Sequence, residues 1–152
     1  HADNLKLAYM LQDQAIDAGY HVSIEYLADV CGLMKERVHK TLEIITNARF
    51  FFEAPHVFDD ETIRKKYKPE NKTHLIAIAE SLKTVDNAGI ELAIKGYIHD
   101  NGLKIGDFMP LIRIGISGTM QGPDLIKTIA LITPSEAADR LLRAVLYFEK
   151  LN

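Results

Sequence analysis

Residues 110–125 read P-L-I-R-I-G-I-S-G-T-M-Q-G-P-D-L. Leu111, Ile112, Ile114 and Ile116 make the segment apolar, and one cation, Arg113, stands among them. The run breaks at Gly118, and Gly122-Pro123 sets a restart as a second helix. A cation on so apolar a segment requires an anionic or carbonyl partner, because an unpaired buried charge is costly. The helix start beside it aims backbone N–H groups and the positive dipole end outward, which favours phosphate or another anion.

Helix, glycine break, helix is the grammar of the rest of the chain as well. Leu7, Ala8, Leu11 and Ala15 recur at spacings of three and four before Gly19. Ser23 caps a short helix through Val30 that Gly32 stops, and a further helix over 34–48 carries Val38, Leu42 and Ile45. Phe50-Phe51-Phe52 and Ala54-Pro55 end it. Asp59, Asp60 and Glu61 open a basic segment, Thr62 to Lys68, that Pro69 closes. Beyond it, Leu75, Ile76, Ala79, Leu82 and Val85 mark one helix, and Ile90, Ala93, Ile94, Tyr97 and Ile98 the next, closed by Gly102. Helices over 106–116 and 123–132 follow. Thr133-Pro134-Ser135-Glu136 is a capping box that launches the last helix to Leu151. No segment alternates as a strand does. The expected fold class is all-α, in two helical subdomains, 1–69 and 70–152.

The 152 residues suffice for one domain or two small ones, and 47% hydrophobic with 26% charged residues is ordinary globular composition. No apolar run approaches the roughly 20 residues that cross a bilayer, so no membrane partner is expected. The one cysteine, Cys31, suits a reducing, cytoplasmic compartment. A net charge of −3 argues against indiscriminate coating of nucleic acid and leaves room for a local basic site. His1-Ala2 reads as a tag remnant and the chain as a fragment.

Motifs for catalysis and metal binding are missing: the catalytic and metal sets are both expected to be empty. No Walker-type glycine loop is present, and no two histidines stand at i, i+4. Asp59-Asp60-Glu61 reads as a helix cap before it reads as a metal site. Cys31 reads as a packed thiol. The segment Arg64-Lys65-Lys66-Tyr67-Lys68 is either a solvated face or a phosphate contact with Tyr67 as a stacking surface. Leu27-Ala28, Gly32-Leu33 and Val38 have the spacing of a helix-turn-helix, whose second helix would present Lys35, Arg37, His39 and Lys40 to DNA.

Several segments, taken in order, resemble the C-terminal anticodon-binding region of bacterial-type glutamyl-tRNA synthetases. They are Lys35–Val38 followed by Phe50–Pro55, then Asp60-Glu61 leading into Lys65–Lys68, then Asn101–Gly106, Leu111–Arg113, Ser117-Gly118 and Gly122–Leu125. The lysine-rich middle is most similar to the Bacteroidetes branch. The sequence departs from the family in placing Ile112 between Leu111 and Arg113, and in carrying Gly122 where some relatives have a hydroxyl side chain.

The resemblance implies the helical-cage anticodon-binding domain of class I aminoacyl-tRNA synthetases. It implies that Arg113 clamps or reads an anticodon nucleotide, that Lys95 touches the stem-loop, and that Gly122, Pro123 and Leu125 line the pocket for a splayed base. The implied partners are a glutamate-accepting tRNA and an upstream catalytic domain. That domain would hold the ATP and Mg2+ of glutamate–tRNA ligation, and this segment would hold no cofactor. A helix-turn-helix DNA binder and a helical protein-interaction scaffold stand as the alternatives.

Overall fold

The computed structural model describes residues 2–35 and 48–151. Every regular element among them is helical. The chain divides into two compact units, one ending at Glu53 and one beginning at Ala54.

In the first unit, α1 (Ala2–Asp17) packs on α2 (Ile24–Met34). Ala8, Leu11 and Ala15 of α1 are buried, as are Leu27, Ala28, Val30, Cys31 and Met34 of α2. α1 ends in a Schellman motif: Tyr20 N–H reaches Ala15 O, Gly19 N–H reaches Ile16 O, and Gly19 takes φ 92°. Ser23 Oγ caps α2 by accepting from Tyr26 N–H. A single 3-10 turn, Arg49–Phe51, follows, and Phe52 stacks on Tyr20 with ring centroids 4.8 Å apart. Burial pushes the Cys31 thiol up to about 11, so it is a packed, protonated side chain.

Gly32 does not stop α2. It lies inside the helix, where an added Cβ would come 2.8 Å from Asn4 Nδ2, so its small size serves the α1–α2 packing. The turn that a helix-turn-helix needs at this glycine is therefore not made. Lys35 is the C-cap of α2. Val38, Arg37, His39 and Lys40, which that reading requires, lie outside the described residues, as does nearly all of the helix expected over 34–48.

The second unit contains α3 (Asp60–Lys66), α4 (Asn71–Leu82), a 3-10 turn (Asn87–Gly89), a π-helical turn (Leu92–Gly96) continuing as α5 (Tyr97–Asp100), α6 (Ile105–Ser117), α7 (Leu125–Ile132) and α8 (Pro134–Leu151). α8 packs against α3, α4, α6 and α7. Its Ala137, Leu141, Ala144, Val145 and Phe148 are buried at helical spacing. Each of the larger three stabilises by about 1.5–3 kcal/mol through burial. Opposite them, Gly115 of α6 admits the helix closely; a Cβ there would lie 3.1 Å from both Ala144 Cβ and Leu141 Cδ1.

Pro69, expected to mark a boundary, is a turn within the second unit. Across it Tyr67 Oη donates to Glu149 Oε2 at 2.8 Å and Lys72 Nζ reaches Glu149 Oε1 at 3.3 Å, so both sides of the proline are fastened to α8.

Candidate functional site

The site grows from α6. Leu111, Ile112, Ile114 and Ile116 are buried, which fixes the helix and turns Arg113 to a half-buried edge. Its Nη1 donates to Pro123 O at 2.9 Å. The expected partner of the lone cation is thus a carbonyl. A guanidinium has five N–H donors in a planar fork, and this bond helps to set its orientation.

The loop it closes begins at Gly118, the αL C-cap of α6, with φ 86°. Glycine is required twice over there. The conformation disfavours a side chain, and a Cβ would lie 2.6 Å from Val57 O and 3.0 Å from Pro55 Cβ. Gly118 N–H bonds Ile114 O, and Gly118 O accepts from Asp59 N–H. Thr119 Oγ1 takes Gln121 N–H at 3.1 Å, and the loop crest exposes Met120 and Gln121. Gly122 takes φ 133°, Pro123 is buried, and Leu125 is 4% exposed.

α7 starts at Leu125, later than the Gly-Pro pair suggests. Asp124 is its N-cap, with Oδ1 accepting Lys127 N–H at 2.9 Å. That carboxylate takes the Lys127 N–H and sets a negative charge at the helix start, which opposes a second anion there. Pro123 instead supplies the carbonyl that holds Arg113.

The structure therefore brings Arg113 and Pro123 into direct contact, with Gly122 and Leu125 on either side. Lys95 sits on a separate element, the π-helical turn, and its Nζ pairs with Glu91 Oε2 at 3.1 Å. The basic run beyond Asp59 divides. Lys65 pairs with Glu61 on a solvated face. Tyr67 is 4% exposed, its ring against Phe148, so it offers no stacking face. Burial and then Glu149 hold its phenol above the ordinary range. Asp59 caps α3 through Thr62, whose hydroxyl and amide bonds keep that carboxyl below its usual value, and Asp60 accepts from Tyr147 Oη at 2.6 Å.

One residue that sequence reasoning passed over stands behind the loop. Arg140 of α8 is 4% exposed; its Nη1 donates to Ile116 O at 3.0 Å and its Nε to Glu136 Oε2 at 2.7 Å. An arginine at i, i+4 from a glutamate on an amphipathic helix usually reads as a solvated pair, and only the tertiary fold distinguishes this one.

The chain is similar along most of its length to parts of known ligases. The glutamate–tRNA ligase of Porphyromonas gingivalis is 30% identical over 146 residues, which is 94% of this chain and 29% of that protein. That of Nitratidesulfovibrio vulgaris is 32% identical over 132 residues, 84% of this chain and 28% of that protein. Among solved structures, a glutamate tRNA ligase from Elizabethkingia meningosepticum superposes with a TM-score of 0.87 at 26% identity, over 98% of this chain and 30% of that one. The chain thus spans under a third of the length of these relatives. Residues 6–145 match the family model described as the anticodon binding domain, and the chain belongs to that family.

Proposed function

We propose that this chain recognises the anticodon loop of a glutamate-accepting tRNA as part of a glutamate–tRNA ligase. The observation that carries the reading is the Arg113 fork fastened at Pro123 O beneath an exposed loop crest. Single-stranded loops are read by splaying bases out of the stack, bonding their edges and packing their faces on side chains. Arg113 presents a guanidinium fork suited to a base edge or phosphate, and Gly122, Pro123 and Leu125 form the wall of the pocket around it. Lys95, on the π-helical turn, exchanges Glu91 for a stem-loop phosphate. Glutamate activation with ATP and Mg2+ belongs to a catalytic part upstream in such a ligase; no residue described here is assigned to either. The helix-turn-helix reading is disfavoured because Gly32 makes no turn.

The test is a titration of the chain with a glutamate tRNA anticodon stem-loop and with a scrambled-loop control of equal length. The matched loop binds tighter, and Arg113→Ala costs about 1–3 kcal/mol of that binding. Equal affinity for the two loops refutes the assignment, and a folded Arg113→Ala protein with unchanged affinity removes Arg113 from the site.

A further inference from the structure

We propose that Arg140 is a positioning residue for this loop, acting on RNA recognition through the C-terminus of α6; the proposal rests on the anticodon reading above. A helix leaves its last carbonyls without intrahelical partners. At the end of α6 these are met from elsewhere in the unit: Arg140 Nη1 from α8 takes Ile116 O, and Asp59 N–H takes Gly118 O at the start of the loop. Arg113, one turn before this end, holds the far side of the loop at Pro123 O. The loop between is therefore fastened by one arginine where it departs and by another where it returns.

Arg140 is a costly way to fill space. Apolar side chains of similar volume usually stabilise a core as well as or better than a buried ion pair does. What a guanidinium adds is a donor at a fixed point, aided by the negative end of the α6 dipole. Fixing Ile116 O fixes the last turn of α6, and with it the direction from which Arg113 and Gly118 present the loop.

The experiment compares Arg140→Met and Arg140→Lys in the full 152-residue chain, each alone and with Arg113→Ala, with Ile78→Val as a core-weakening control. Thermal melts verify folding. Arg140→Met binds the matched stem-loop about tenfold more weakly, and the further loss from Arg113→Ala shrinks below about twofold, because the two residues act as a coupled unit. Arg140→Lys, which keeps a donor, recovers part of the affinity, whereas Ile78→Val leaves it unchanged. Full affinity in folded Arg140→Met, or an undiminished Arg113→Ala penalty in that background, overturns the proposal. Should Arg140→Met fail to fold, Arg140→Lys decides through amide exchange at Thr119–Gln121 in the free chain. Faster exchange there with unchanged exchange in α4 supports positioning, and unchanged exchange at both overturns it. If the wild-type chain cannot tell matched from scrambled loops, the anticodon reading falls, and the exchange comparison still decides whether Arg140 fixes the loop.

Discussion

The chain passes from α6 to α7 through residues 118–124, and from α7 to α8 through Thr133 alone. The short corner is self-sufficient. Thr133 Oγ1 caps α8 by accepting Glu136 N–H at 3.2 Å, and Pro134 begins the helix with its φ already set. The tightness shows as strain: Thr133, β-branched, sits at φ 84° and ψ 144°. The long corner borrows its order from other elements, through Arg113, Arg140 and the Asp59 amide. A self-contained corner only packs helices. A corner held at its ends by remote groups keeps a defined crest in solvent, which is what a recognition loop needs.

The comparison can be broken at either corner. The largest effect is expected at Gly118→Ala, which puts a side chain at positive φ and against Val57 O. A loss of about 2–4 kcal/mol follows in urea unfolding. A wild-type midpoint would mean the long corner is not pinned there. Asp124→Ala and Thr133→Ala each remove one helix cap and cost about 1 kcal/mol in the same measurement. Thr133→Gly loses the cap and relaxes the φ, so its net change stays within about 0.5 kcal/mol. A loss equal to that of Thr133→Ala would show that no strain is stored at the short corner.

The smallest effect belongs to a third region, the clasp of α8 on the segment 59–72. Glu149 is held below its ordinary 4.5 by Tyr67 and Lys72, and Asp59 below its ordinary 3.8 by Thr62. Their unfolded forms bind protons more readily, so their contribution is complete above the ordinary values and is lost as pH falls through the folded ones. Tyr67 has the opposite sense: its contribution is present below pH 10 and declines above it. Glu149→Gln should flatten the acid limb of a stability–pH curve while leaving the shape of the limb between pH 6 and 8 unchanged.

What the sequence disclosed was local. Apolar spacing located α6 and α8 almost to the residue, because an amphipathic face and a cap are written within one helix. The cap chemistry at Thr133 was legible, though half of the box turned out otherwise, Glu136 giving its carboxylate to Arg140. Arg113 announced its need for a partner without naming Pro123. Gly32 misled because a glycine required by a neighbouring helix and a glycine that turns the chain look alike in one dimension. Arg140, the Gly118 clamp and the burial of Tyr67 depend on residues dozens of positions away, where no spacing rule reaches.

The π-helical turn at Leu92–Gly96 has a consequence for how length changes can be read in this segment. A π turn accommodates one residue more than an α turn does, so the helix from Ile90 to Asp100 behaves as one that has absorbed an insertion. Deleting a single residue within it would restore regular α geometry and leave the two flanks facing as they do now, because the wider turn already absorbs the extra residue. Lys95 and the exposed Leu92, which lie inside the turn, would change direction, while Ile90 and Ile98 on its two flanks would keep their places in the core. In this segment chain length, more than residue identity, encodes the azimuth of a basic side chain.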